Sequence, residues 1–245
     1  MKHFIAFFTS PNFWSIIGNT LTISIYSILA AFPFAILLAI GMNELASARA
    51  RKTVQFFTYA PYFISTVVLV SMMMQMFDPR IGILTKFLKM LGYSGDNVFG
   101  SPSAFRHLYV WSGVWQQTGY NAIMYLAALS AINIELYDAA KVDGCSKWQR
   151  IWHIDLPGIR PTIIILLILN MGYIMSVGFE KVYLMQNPMN LGNSEIISTY
   201  VYRIGLINSN FSFSTAIGLF NSVINLVLML SVNKIAQKVG ETSLW

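Results

Sequence analysis

Five long apolar runs, at 15–42, 54–77, 107–131, 161–179 and 211–232, leave this chain few folds to choose from. The hydrocarbon layer of a bilayer is about 30 Å thick, and a helix crosses it with about 20 mainly apolar residues. Barrel strands are excluded, because they are about half that length and alternate in polarity. Composition agrees, with 56% of residues hydrophobic and only 11% charged, against roughly 25% charged in soluble domains. The expectation is an all-α integral membrane protein of about five transmembrane helices, built as a single domain over 1–245. No internal repeat, low-complexity segment or linker marks a second domain.

The connectors set the orientation. Residues 44–53 hold Arg49, Arg51 and Lys52, residues 132–160 hold Lys141, Lys147, Arg150 and Arg160, and the tail holds Lys234 and Lys238. By the positive-inside rule these three connectors, and with them the C-terminus, are cytoplasmic. The segments 78–106 and 180–210 then lie outside. Within the first of them, Ile81, Leu84, Leu88 and Leu91 follow helical spacing between Gly82 and Gly92, which predicts a short surface helix serving as a lid or a docking face. The net charge of +6 is scattered singly over connectors, which excludes a nucleic-acid-binding stripe. Cys145 is the single cysteine, so an internal disulfide framework is excluded.

The most structured connector is 135–157. Glu135 to Asp143 is helix-forming, and Gly144 is the residue type that ends helices in a left-handed turn. Ser146 with Gln149 three residues on makes a capping box, so a second helix starts at Ser146 and runs through Trp148, Ile151 and Trp152 until Pro157 ends it. Pro161 then falls in the first turn of the next span. The product is a helix–Gly–helix elbow at the membrane surface, with Tyr137, Ala140 and Lys141 on a face that another protein can approach and the tryptophans suited to the interface.

Asp138-Ala139-Ala140, then Gly144, then Ile154, Leu156 and Pro157 resemble the signature of the permease subunits of ATP-binding-cassette importers, usually written Glu-Ala-Ala, three residues, Gly, nine residues, Ile-x-Leu-Pro. The sugar-importer branch, and within it the polysaccharide or lipoprotein type, is the nearer likeness. Asn19-Thr20-Leu21, Tyr125 to Leu129, Trp148 to Pro161, Thr199 to Arg203 and Phe211-Ser212-Phe213 carry it, and it extends to Trp245. The sequence departs at Asp138, where the family has the longer Glu, and in lacking one N-terminal helix. Five spans with an inside tail also put Met1 outside, so an earlier helix is expected to be missing from this sequence.

The resemblance implies that Asp138, Ala139, Ala140, Lys141, Gly144, Ile154, Leu156 and Pro157 form a loop coupling the permease to two cytoplasmic ATPase chains. It further implies a second permease subunit, different in sequence, an extracytoplasmic solute-binding protein, an oligosaccharide substrate and a bacterial inner-membrane location. ATP and magnesium would sit on the partner chains, and this chain would hold no cofactor or metal and no catalytic residue. Polar groups inside spans are expensive and mark either helix packing or a path. Gln117, Asn121, Tyr125, Asn170, Tyr173, Glu180, Asn221 and Asn225 are the candidates for the sugar path, while Ser214 and Gly218 read as helix packing.

No Gly-Lys-Ser or Gly-Lys-Thr phosphate loop occurs, so any ATP is hydrolysed elsewhere. His3, His107 and His153 have no metal-ligand spacing, and no Gly-x-Ser-x-Gly elbow suggests a hydrolase. Two other classes stand beside the sugar permease: an ion-gradient-driven carrier, which would use intramembrane polar residues but has no need of the elbow, and an importer of the same type for a peptide or amphiphile.

Overall fold

The computed structural model describes residues 1–92, 95 and 97–238, so the C-terminal end at Trp245 lies outside them. The described residues form thirteen α-helices with short 3₁₀ and π segments and no strand. In chain order they are α1 (Lys2–Phe8), α2 (Phe13–Asn43), α3 (Ala48–Tyr59), α4 (Thr66–Met76), α5 (Ile83–Met90), α6 (Pro102–Ser130), α7 (Ile134–Val142), α8 (Lys147–Arg150), α9 (Leu156–Met171), α10 (Phe179–Met185), α11 (Leu191–Ser194), α12 (Ile197–Tyr202) and α13 (Phe211–Lys238). Three runs are each long and apolar enough to cross a membrane: α2, Lys147–Met171 and α13. The number rises to five when two bent pairs, α3 with α4 and α6 with α7, count as one span each.

Two of the expected spans are redrawn. Residues 54–77 are not one rod: Ala60–Phe63 tightens into a 3₁₀ turn around Pro61, and the Ser65 side chain then caps α4 by accepting from Val68 N at 3.4 Å. The chain turns by 96° there, because the cap hydroxyl and the proline both favour a new start over continuation. The fourth helix begins at Lys147 rather than 161 and stops at Met171, where a stretch with Gly172, Ser176 and Gly178 gives poor helix propensity. Pro157 does not end a helix and Pro161 is not in a first turn. A π turn at Ile151–Asp155, marked by Leu156 N–H bonding Ile151 O, widens the helix just ahead of Pro157 and lets both rings fit in one run.

The chain packs as two compact units. One takes residues 1–28, 64–113 and 172–227, with a core around Ile23, Leu69, Phe105, Val182, Met185 and Ile196. Asn19 stitches it together: its amide donates to Gly192 O at 2.9 Å and Glu195 O at 3.1 Å, and its oxygen accepts from Arg106 at 2.8 Å. Next to it Thr20 Oγ1 accepts from Ile197 N at 3.1 Å. The Asn19-Thr20 pair that carries part of the family resemblance is thus a backbone brace. Helix α5 leaves Ile83, Phe87 and Met90 exposed and turns Thr85 inward, with Leu84 and Leu88 half-buried.

The same unit buries Lys181, whose Nζ donates to Tyr109 O at 2.9 Å and lies 4.8 Å from the Tyr109 ring centroid. Burial pushes its pKa from the ordinary 10.5 down to about 8. Below pH 8 both the folded and the unfolded chain carry this proton, so the folded form bears the full cost of an enclosed charge, on the order of 3 kcal/mol. The cost fades as pH rises from about 8 to 10.5, where the folded form sheds the proton first. Lys181→Met is therefore expected to raise the thermal midpoint at pH 7, with the gap from the parent narrowing toward pH 10, as scanning fluorimetry in detergent would read.

The second unit takes residues 29–63, 114–171 and, among the described residues of the tail, 228–238. Its core sets small residues, Ala35, Ala39 and Ala122, against Met42, Tyr125, Leu129 and Ile159, the close-packing solution for helices in lipid. Gly119 on α6 sits against the Thr58 backbone, and the neighbouring Tyr62 and Tyr120 rings stack with centroids 3.9 Å apart. This unit carries the elbow.

Candidate functional site

The elbow is built by local chemistry. Asn133 caps α7, its Oδ1 accepting from Glu135 N at 3.0 Å. At the other end Gly144 takes φ +69°, Cys145 N bonds Ala140 O at 2.9 Å and Gly144 N bonds Lys141 O at 3.3 Å, which together make a Schellman turn. The chain then enters α8 through a complete capping box: Ser146 Oγ accepts from Gln149 N at 3.4 Å, and Gln149 Oε1 accepts from Ser146 N at 2.8 Å. Asp138, Ala139 and everything from Lys141 to Gln149 are exposed. Val142, at 87% exposure, and Trp148, at 72%, are large apolar groups left uncovered on the tip.

The eight elbow residues divide in two. Asp138, Ala139, Lys141 and Gly144 face outward, whereas Ala140 is buried and Ile154 and Leu156 are half-buried, with Leu156 packed on the core that holds Ile159. Pro157 is exposed on the outside of the continuous helix. The approach face assigned to Tyr137, Ala140 and Lys141 is corrected: only Lys141 of the three lies open, because the helical period that exposes Asp138 and Lys141 turns Tyr137 and Ala140 inward.

Tyr137 in fact anchors the elbow, its hydroxyl donating to Asp155 Oδ1 at 2.5 Å. Asp155 is fully buried, and its Oδ2 has no hydrogen-bond partner. Arg150 pairs with Glu44, just past the end of α2, and its guanidinium lies 5.7 Å from the Tyr137 ring centroid. Sequence reasoning missed Glu44, Arg150 and Asp155 as a group, since 106 residues separate the ion pair and no local spacing reports it. Only the odd placing of an acid, Asp155, beside an apolar helix start hinted at a buried partner.

The path candidates do not form one set. Tyr125 is core, 2% exposed with the Phe32 ring edge-on at 5.9 Å. Asn170, Tyr173 and Glu180 do not lie on one helix: Asn170 sits in the last turn of α9 and bonds Leu166 O, Tyr173 lies in the following turn, and Glu180 belongs to α10. Asn225 is structural, accepting from Met175 N at 3.0 Å and donating to Ser176 Oγ at 2.9 Å. Gln117 is exposed and Asn121 half-buried, one helical turn apart on α6.

Asn221 has the strongest surroundings. It lines a cavity of about 370 Å³ with Phe179, Tyr202, Phe211, Ser214 and Gly218, and its buried Oδ1 has no hydrogen-bond partner. Gly218, read as a packing residue, has nothing within 4 Å of the position a side chain would take and opens on this cavity, while Ser214 does pack closely, against Gly205. A smaller, more polar recess of about 240 Å³ lies beside the Glu195–Arg203 ion pair. Burial pushes the Glu195 carboxyl up from its ordinary range, with Arg203 pulling the other way. Among the described residues no group of three or more His, Cys, Asp or Glu is placed to hold a metal ion.

Comparison with known proteins places these features. The chain is 38% identical over 245 residues to the polygalacturonan/rhamnogalacturonan transport system permease protein YteP of Bacillus subtilis, covering 100% of this chain and 76% of that protein. Protein LplB of the same organism is 38% identical over 243 residues, covering 99% and 76%. In the crystal structure of a bacterial alginate ABC transporter in complex with an alginate pentasaccharide-bound periplasmic protein, one chain superposes with a TM-score of 0.95 at 39% identity, covering 100% of this chain and 85% of that one. The family described as the binding-protein-dependent transport system inner membrane component matches residues 31–241. With a helix–Gly–helix elbow in an all-helical membrane fold and that match across most of its length, the chain belongs to the family of inner membrane components of binding-protein-dependent transport systems.

Proposed function

We infer that this chain is the permease subunit of an ATP-driven importer, forming half of the path through which an oligosaccharide crosses the bacterial inner membrane. The observation that carries this is the full-chain likeness, at 39% identity and a TM-score of 0.95, to a chain of a transporter crystallised with a sugar-bound periplasmic protein. Two of the similar proteins are named for polygalacturonan/rhamnogalacturonan and for alginate, polymers rich in carboxylated sugars, which favours an acidic oligosaccharide as cargo. A binding protein would deliver it to the outer side. The exposed elbow would be received by one of two cytoplasmic ATPase chains, which hold the ATP and magnesium, and a second permease chain of different sequence would complete the path. The elbow and the C-terminal end then lie on the cytoplasmic side.

Such a subunit does no bond-making chemistry. It has two arrangements, and the ATPase shifts their balance by binding the elbow better in one than in the other. Vesicles carrying the chain with its permease partner, ATPases and binding protein are expected to take up oligogalacturonate or oligomannuronate only with ATP inside the ATPase compartment, and neutral oligosaccharides far less. Uptake by this chain alone on a proton or sodium gradient would overturn the reading in favour of a secondary carrier.

A further inference from the structure

The group behind the elbow joins three parts of the second unit that are far apart in sequence. Tyr137 comes from α7, Arg150 and Asp155 from the run that becomes α9, and Glu44 from the residue after α2. One Arg150 nitrogen contacts both carboxylate oxygens of Glu44, the residue just after the end of α2. Arg51 of α3 donates to Asn43 O at 3.4 Å and Leu45 O at 3.3 Å, closing the α2 end from the far side. The Arg150 and Glu44 side chains are 31% and 15% exposed, so the pair is partly withdrawn from water, where geometry matters more than in a solvated surface pair.

A freely hinged elbow could swing about Gly144 and pass force only along its own covalent arm into α9. The cross-links remove that freedom, because the two arms are tied to each other through Tyr137 and Asp155, and the second arm is tied to the end of α2 through Arg150 and Glu44. We propose that Glu44 and Arg150, braced by Tyr137 and Asp155, are positioning residues that make α2 move with the elbow, so that a push on the exposed tip is shared between α2 and α9. Arg150 faces two acids, Glu44 and Asp155, so its loss leaves like charges together in a partly buried site. This inference rests on the reading of the elbow as the ATPase contact.

The test uses the assembled transporter in vesicles and reads three things: whether the ATPases co-purify, the sugar moved per ATP hydrolysed, and the thermal midpoint. Glu44→Gln and Arg150→Gln should each lower sugar moved per ATP by about tenfold while the ATPases stay bound. Tyr137→Phe, which keeps the ring under Arg150, should lose less. Arg150→Lys keeps the charge and most of the reach and should retain coupling even if Arg150→Gln does not fold. An unchanged ratio in the folded single variants, or a loss in Arg150→Lys as complete as in Arg150→Gln, would each overturn the proposal. Failure of the unaltered chain to co-purify with an ATPase would instead overturn the reading of the elbow, a result the variants do not share.

Discussion

Gly144→Val is expected to cut ATP-driven sugar uptake at least tenfold while leaving ATP hydrolysis by the assembled complex largely in place. Gly144 has φ +69°, and a side chain built on it would meet nothing within 4 Å. The penalty is therefore backbone strain alone: a β-branched residue held in the left-handed region costs about 1–3 kcal/mol, against almost nothing for glycine. The cheapest escape is to unwind the Schellman turn, which frees the Ala140 and Lys141 carbonyls and lets the two arms separate at the tip. The same energy read as a loss of coupling is roughly five- to 150-fold. Gly144→Asn, which visits that region more readily, should retain most uptake, and Gly144→Ala should fall between. Uptake and hydrolysis measured on the same vesicles separate the three. Normal uptake in Gly144→Val would show that the shape of the tip is irrelevant.

Gly119→Val should do something different, removing the folded protein altogether. A side chain at Gly119 would run into the Thr58 carbonyl and the Tyr59 nitrogen, which are backbone atoms with no rotamer to yield. Either α6 withdraws from α3, breaking the Tyr62–Tyr120 stack, or the end of α3 unwinds. Destabilisation of more than about 4 kcal/mol is expected, a large share of what a typical domain has. Even Gly119→Ala should lower the thermal midpoint clearly, and Gly119→Val should be lost to aggregation on size-exclusion chromatography. A monodisperse Gly119→Val protein with the parent midpoint would contradict the close approach. The two glycines thus serve for separate reasons, one for its torsion and one for its missing Cβ.

The elbow was legible in the sequence because everything that shapes it is local. Gly144, Ser146 and Gln149 act within five residues of one another, and capping and left-handed turns are chemistry of that range. What stands behind it was not, since Glu44 meets Arg150 across 106 residues and Tyr137 meets Asp155 across 18. The spans were legible as apolar mass but not as rods. Ser65 reads equally as a small polar residue inside a span or as a helix cap, and Pro157 reads as a stop unless a π turn precedes it.

The path candidates were hard to place from sequence for a related reason. A helical wheel assumes one unbroken helix, and the end of α9 at Met171 separates Asn170 from Tyr173 and Glu180. Tyr125 carries a polar tip, but its ring fills the core of the second unit. Asn221 and Asn225 both lie on the uninterrupted α13, and of the two Asn221 lines the cavity while Asn225 is taken up by Met175 and Ser176.

The chain's single cysteine offers a direct view of the elbow, since Cys145 is exposed immediately after Gly144 at the tip. Its modification by a membrane-impermeant maleimide can be followed in the unaltered sequence, first with the permease chains alone and then after the ATPases are added to the cytoplasmic face. An ATPase seated on the elbow should slow labelling at least tenfold, with a further change in rate when ATP closes the ATPase dimer. Labelling that proceeds at the same rate with and without a bound, active ATPase would contradict the assignment of this elbow as the contact through which transport is driven.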